Sequence, residues 1–472
     1  MNALRALAMA GSLLALAACS TVGPNYTLPA EAKINAPTAR GPFMGANAPA
    51  VSQAPLPAGW WKLYDDPVLN DLVQQALAAN TDLRVAAANL ARTQAIVSEA
   101  DDAGGFKTGV SAAALHSRES GEQYLLSEQL PVENLADVGV KVSYQVDLVG
   151  RLKRAAEAAR ADAEASEAAL DLARVSVAAD VARAYVDACA NGHELAVARH
   201  TVDLQAKSLA ATQALVKAGR GAVMDVTRSR ALLDQSRAAL PGFESRRRAA
   251  LYKLATLTGK PPAEFPKAVE ACVAPPTLKQ PIPVGDGAAL LKRRPDVRQA
   301  ERTLAGATAR IGVATAALYP NVTLGFGAGS TGLLADIGQP AANRWGLSSL
   351  ISWTIPGQGE RARIRQSEAG ADAALARFDG VVLTALRETE TSLDAYVQDL
   401  RRNAALKAAR DQAALAETQT RALYRAGRSP YLVGLDAQRT LASAEAALAA
   451  SDSQVAADQV TLFLALGGGW ER

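Results

Sequence analysis

The residues best placed for covalent chemistry stand near the start of the chain, where Leu16-Ala17-Ala18 precede Cys19. Arg5 is followed by the apolar run Ala6–Ala18. That run is too short to cross a bilayer as a helix and reads as an export signal. Small residues directly before a cysteine suit a peptidase that cleaves lipid-modified precursors. Residues 1–18 are therefore expected to be removed, leaving Cys19 acylated at the mature N-terminus. Ser20 follows, where an Asp would argue for retention at the inner membrane, so sorting to the outer membrane is compatible. Two other cysteines remain, Cys189 in a long helical pattern and Cys272 in a proline-rich loop. An oxidising periplasm permits a bond between them, but nothing in their placement calls for one, and the reading favours two separate residues.

Other chemistry is sparse. His116, His193 and His200 are the only histidines. His193 and His200 could share a helix face, yet no acidic or cysteine partner completes a metal pattern such as HExxH. Gly327-Ala328-Gly329-Ser330-Thr331-Gly332 satisfies G-x-G-x-x-G after a strand-like stretch, but Leu333–Pro340 does not open a helix, so the dinucleotide context is missing. It is read as a flexible loop between two strands. Gly259-Lys260 runs into Pro261 and lacks P-loop spacing. No enzymatic activity, metal or cofactor is expected. A net charge of +3 with no strongly basic segment gives nucleic acid no electrostatic footprint.

The elements around these residues follow from composition and period. The chain is 49% apolar but only 5% aromatic, with alanine supplying much of the difference. Alanine favours helix and fills little core volume, so long helices packed on each other are expected. Residues 19–60, rich in Pro, Ala and Gly, read as an extended arm from the lipid anchor. Landmarks then recur about 210 residues apart. Asn80-Thr81-Asp82-Leu83-Arg84 and Arg294-Pro295-Asp296-Val297-Arg298 each open an alanine-rich helix. Ser143-Tyr144-Gln145-Val146 and Ser352-Trp353-Thr354-Ile355 end strand-like stretches. Lys217-Ala218-Gly219-Arg220 and Arg425-Ala426-Gly427-Arg428 end long helices. This predicts two structural repeats, 61–282 and 283–472, joined through a segment at 260–285 that holds seven prolines.

Within each half the order is helix, strand, strand, very long helix, turn, long helix. Val138, Val140, Val142, Tyr144, Val146 and Leu148 alternate with polar residues, as do Val322, Leu324 and Phe326, and then Trp345, Leu347, Ile351, Trp353 and Ile355. A weaker strand covers Phe106–His116. Segments of about ten residues, apolar on one face and polar on the other, match a water-filled transmembrane barrel, although a half-buried soluble sheet alternates in the same way. Val140, Val142, Val322, Leu324 and Ile351 are expected to face lipid, and Lys141, Gln145 and Thr323 a lumen. The helices from Gly150 to about Ala218 and from Gly359 to about Ala426 contain no proline, and each would be roughly 100 Å long. Val382, Leu386, Thr389, Leu393, Tyr396 and Leu400 step by four and three, so coiled-coil packing is expected.

These residues together resemble a known family. The ordered set Gly59-Trp60-Trp61, Asp66-Pro67-Val68-Leu69, Asn80-Thr81-Asp82-Leu83, Asp147-Leu148-Val149-Gly150-Arg151, Leu318-Tyr319-Pro320, Tyr424-Arg425-Ala426-Gly427, Leu435-Asp436-Ala437-Gln438-Arg439 and Leu466-Gly467-Gly468-Gly469-Trp470 looks like a TolC-like outer-membrane efflux protein of the lipidated NodT-type branch, which serves resistance-nodulation-division pumps. Val149, where many relatives carry Trp, and Pro356, where many carry Phe, depart from the pattern. The resemblance implies a mainly α protein with a small β part, internally duplicated. It implies a homotrimer in which each chain gives four strands to a shared twelve-stranded barrel and its helices to a coiled-coil helical barrel. It implies a passive export conduit for small molecules in the outer membrane, with a periplasmic adaptor and an inner-membrane pump as partners. The alternatives are a type I secretion channel and a structural envelope lipoprotein without a pore. Four strands cannot close a barrel, which independently calls for several chains. Gly219 and Gly427 should mark the helix tips. At the positions matching Leu432, Asp436 and Arg439, resembling channels form a periplasmic aperture: a leucine ring, an aspartate ring, and an arginine bonded to a neighbouring helix.

Overall fold

The computed structural model describes residues 21–355 and 357–468. The region around Cys19, together with Pro356, Gly469 and Trp470, lies outside the described residues. Helices α1 (Pro67–Ala79), α2 (Thr81–Asp102), α3 (Arg151–Lys217) and α4 (Val223–Leu257) frame strands β1 (Phe106–Arg118) and β2 (Val132–Val146). Helices α5 (Pro295–Ala316), α6 (Gln358–Arg425) and α7 (Tyr431–Ala465) frame β3 (Asn321–Leu333) and β4 (Asn343–Ser352). The two series run parallel: α2 and α5 have 22 residues each, α3 and α6 have 67 and 68, and α4 and α7 have 35 each. The mainly helical class with a small β part is thus the observed one. Among the described residues, no helix is long and apolar enough to cross a membrane.

Packing sorts the chain into two units that each draw on both halves of the sequence. The first holds residues 90–166 and 300–378 with the chain up to Pro29. Its centre is one antiparallel sheet in the order β1-β2-β3-β4. Gly327–Gly332, expected as a loop, lies inside β3, paired with Lys141–Ala136 of β2. The expectation treated glycine as a loop former. Between two neighbouring strands, the ladder bonds hold these glycines extended even though they add no side-chain packing. Trp353 and Ile355 fall beyond the end of β4.

The second unit holds residues 30–89, 167–299 and 379–472. Trp60 is fully buried and stacks on Phe463 at 4.5 Å between ring centroids. Asp66 caps α1, accepting from the backbone N–H of Val68 and Leu69, with Pro67 in the first turn. Tyr185 on α3 donates to the other oxygen of the same carboxylate at 2.6 Å. Asn80 caps α2 through Asp82 N–H and Leu83 N–H, and its amide donates to the Leu257 carbonyl. Arg293 and Arg294 donate to the Leu466 and Ala465 carbonyls at the end of α7. The landmark motifs of the sequence are therefore largely helix caps and their anchors. On α6 the buried seam is Val382, Ala385, Thr389, Leu393 and Tyr396. Ala385 takes the place expected for Leu386, which is half-buried, as is Leu400.

Two segments differ from expectation. The arm is not simply extended: it turns at Lys33–Asn35, forms a short helix at Pro37–Arg40, and pairs Val51–Ser52 in parallel with Ile282–Pro283. Backbone groups of Lys33 and Met44 donate to Asp379 and Glu390, so the arm lies bonded along α6. Cys189 and Cys272, read as separate, form a disulfide. Arg247 from α4 donates to the Glu270 and Cys272 carbonyls and holds the proline-rich segment against the helices. Spacing along the chain could not show this, because the partners meet only when that segment folds back.

The bond joins positions 83 residues apart, and closing a loop of that size restricts the unfolded chain by up to about 4–5 kcal/mol. Cys272→Ser is expected to lower the thermal midpoint of the detergent-solubilised protein, and reduction of the native protein should lower it by a similar amount. Identical melts for oxidised, reduced and variant protein would show that the bond carries no stability.

Candidate functional site

Directly paired residues of adjacent antiparallel strands project to the same side. The register pairs Val140 with Ala328, Val142 with Phe326, Tyr144 with Leu324, and Val322 with Ile351. Val140, Val142, Val322, Leu324 and Ile351 therefore share one face, joined by Phe106, Val110, Trp345 and Leu347. This face is apolar and open: Val110, Trp345 and Leu347 are each close to 80% exposed within the chain. The opposite face carries Lys141, Gln145 and Thr323, and Gln145 donates to Asn321 at 3.0 Å. The outer edges of β1 and β4 have no strand partner among the described residues.

At the other candidate site the helices reverse. α3 ends with Gly219 N–H on the Val216 carbonyl and Arg220 N–H on the Leu215 carbonyl; α6 ends in the same way at Gly427 and Arg428. This pair of bonds is the Schellman arrangement, which needs a left-handed residue. Gly219 has φ 68° and Gly427 φ 71°, and a Cβ at either would meet nothing, so backbone conformation alone selects glycine. Pro430 precedes the first turn of α7 as its N-cap residue rather than lying within it. Leu432, Asp436 and Arg439 follow on one face of α7. Leu432 is 45% exposed, and Arg439 donates to Asp436 at 2.6 Å on the same helix. Within the chain, then, the arginine's ion pair is local, to its own helix.

Sequence reasoning missed the polar cluster beside this turn. Tyr431 donates to the Ser208 carbonyl at 2.9 Å and lies 2.7 Å from the Thr212 hydroxyl, while Ser208 donates to Gln438. Thr212 and Ser229 are buried. A signal was present: Gln205, Ser208 and Thr212 step by three and four through an alanine-rich helix, a polar stripe where an apolar one would suffice for packing.

Two further charged groups escaped the sequence. Arg154 is nearly fully buried and grips the chain that follows position 20. It donates to the Val22 and Gly23 carbonyls, to Asn25 and to Glu157, while Val22 N–H bonds to the Val149 carbonyl at the β2–α3 junction. Asp458, buried on α7, accepts from Gln454, and its other oxygen has no hydrogen-bond partner. Burial, reinforced by the neighbouring Asp399 carboxylate, pushes its pKa up to about 6.

The family model for outer membrane efflux proteins matches residues 72–260 and 288–468, and the chain belongs to that family, a class of channel proteins rather than enzymes. It is 30% identical to nodulation protein T of Rhizobium leguminosarum bv. viciae, covering 98% of this chain and 93% of the relative. It is 31% identical to outer membrane protein OprJ of Pseudomonas aeruginosa, covering 97% and 94%. Among solved structures, the outer-membrane channel OprN matches with a TM-score of 0.89 at 34% identity, covering 95% of this chain and 99% of that one. The protein is an outer-membrane efflux channel, with the helical and β parts of that architecture.

The raised acid makes stability depend on pH. Asp458 binds its proton more tightly folded than unfolded, so its stabilising contribution is complete below about pH 4 and is lost as pH rises through about 6. Asp458→Asn should therefore raise the melting midpoint at pH 7, by about 1–2 kcal/mol of stability, and flatten its change between pH 4 and pH 6. Melts in buffered detergent measure both. A variant less stable than the parent at pH 7 would show that the carboxylate is held by a favourable contact instead.

Proposed function

We propose that this chain is the outer-membrane exit duct of a tripartite efflux system. It would work as a homotrimer that receives small molecules from an inner-membrane pump through a periplasmic adaptor. The observation that carries the reading is the four-stranded sheet with one open apolar face and two edges that have no strand partner among the described residues. Lipid accepts such a face, but it accepts no open edge, so the strands must join those of other copies in a closed barrel. Relatives support the cargo class. One is named a toluene efflux pump outer membrane protein, from Pseudomonas putida, and another an antibiotic efflux pump outer membrane protein, from the same species.

In this reading Val140, Val142, Val322, Leu324 and Ile351 meet lipid. Cys19 carries the acyl anchor, and the Arg154 grip on residues 22–25 ties that anchor to the base of the sheet. Segments 61–282 and 283–472 act as two structural repeats. Gly219 and Gly427 form the helix tips, and Leu432, Asp436 and Arg439 line the aperture. Three leucines meeting on an axis exclude water from a narrow pore, and a carboxylate ring disfavours anions.

Light scattering in detergent is expected to give three chains, and intact mass a lipidated cysteine at position 19. A conducting monomer, or an unmodified Cys19 within a longer chain, would remove the corresponding part of the proposal. Leu432→Ala combined with Asp436→Ser should raise single-channel conductance in a planar bilayer several-fold. Unchanged conductance from a normally assembled variant would locate the closure elsewhere.

A further inference from the structure

The polar face of the sheet carries one charged device that neither the family reading nor the efflux function uses. Arg344 on β4 stands opposite Gly329 on β3, and Gly329 stands opposite Gly139 on β2. From there the Arg344 side chain crosses its one neighbour, β3, and reaches β2. It reaches Asp137 at 2.6 Å and donates through Nε to Thr331 at 2.6 Å, and Thr331 in turn donates to Asp137. Gly139 leaves room for this crossing, since a Cβ there would lie 3.3 Å from the Arg344 Nη2 atom, whereas Gly329 is required by the close approach of β2, whose Val138 carbonyl a Cβ there would meet at 2.3 Å. Gly325, Gly327 and Gly346 continue the same face on one side of the bridge, while the Leu135–Leu333 pair bounds it on the other.

We propose that the Asp137–Arg344 bridge is a charge-cancelling element of the pore wall: it lays a long cation flat on a glycine floor, which keeps this level of the bore wide and sets its electrostatic preference for permeating ions and charged cargo. The inference rests on the reading of this face as water-lined. Freed of Asp137, the Arg344 side chain has the length to leave the wall, and each chain then presents one more positive charge beside that of Lys141 on the same face. Without Arg344, each chain gains one uncompensated negative charge. The Thr331 hydroxyl orients both partners and carries no charge of its own.

Gly346→Cys supplies the probe. Gly346 lies on the same face, two residues or about 7 Å along β4 from Arg344, and a Cβ there meets nothing within 4 Å. Cys189 and Cys272 are bonded to each other and do not compete for thiol reagent. Cells bearing Gly346→Cys are treated from outside with an anionic and a cationic methanethiosulfonate, and the ratio of the two rates is measured per assembled protein. The guanidinium and the Asp137 carboxylate lie farther from the probe than the Arg344 backbone does, and one unit charge there should change the ratio by about one-and-a-half- to threefold. Adding Asp137→Asn is expected to shift the ratio toward the anionic reagent and adding Arg344→Gln toward the cationic one. Both changes together should return it to the parent value. If Gly346→Cys reacts with both reagents but the ratio is the same in all four backgrounds, the bridge does not set the potential and the inference is overturned. If Gly346→Cys reacts with neither reagent, the face lines no water-filled bore; it is then the channel reading beneath the inference that fails.

Discussion

The sheet ends on both sides in strands whose outer edges have no strand partner among the described residues, and hydrocarbon offers no water to stand in for the missing partner. Each unpaired N–H and C=O left in lipid costs several kcal/mol, more than any single side-chain contact in this molecule could return. Other features of the sheet are consistent with meeting that demand. Its strands are ten to fifteen residues long, enough to cross a bilayer at a tilt. Over the middle of the sheet the register gathers Val140, Val142, Phe326, Leu347 and Ile351 on one face and Gly139, Lys141, Gly325, Gly327 and Arg344 on the other. A lone chain with these edges would be an unfinished object, which is why the functional reading and the oligomeric reading cannot be separated.

The helical part meets a different demand. Helices of 67 and 68 residues gain little from one another if they touch only along thin alanine stripes. The second unit strengthens them with groups other than bulk apolar contact. Two arginines satisfy carbonyls at the end of α7, asparagine and aspartate side chains cap α1 and α2, and a disulfide ties the proline-rich segment to α3. Buried Trp60 and Phe463 supply the little aromatic bulk that a chain only 5% aromatic can spend on a core. Beside the helix tips the contacts turn polar, with Tyr431, Ser208, Thr212 and Gln438 exchanging hydrogen bonds. Such bonds can be traded for water at modest net cost, whereas a packed apolar core cannot.

The sequence by itself determined whatever repeats along the chain or sits within one turn of it. Period-two alternation marked the strands and their faces, because the pleat turns neighbouring residues to opposite sides. The long proline-free runs marked α3 and α6 almost to their ends, and Gly219 and Gly427 marked the reversals, because only glycine adopts that backbone geometry without strain. What only the tertiary structure decided is what depends on distant partners. Gly327–Gly332 became strand because β2 and β4 flank it, although locally it looked like a loop. Leu386 yielded the seam to Ala385 because the facing helices, and not the heptad count, set which positions are covered. Cys189 and Cys272 came together, Arg154 closed on the arm, and Asp458 acquired its raised pKa through groups far away in sequence. The physical reason is the same in each case: local conformational preference is written residue by residue, whereas burial, pairing and charge compensation belong to positions that the chain must first fold to bring together.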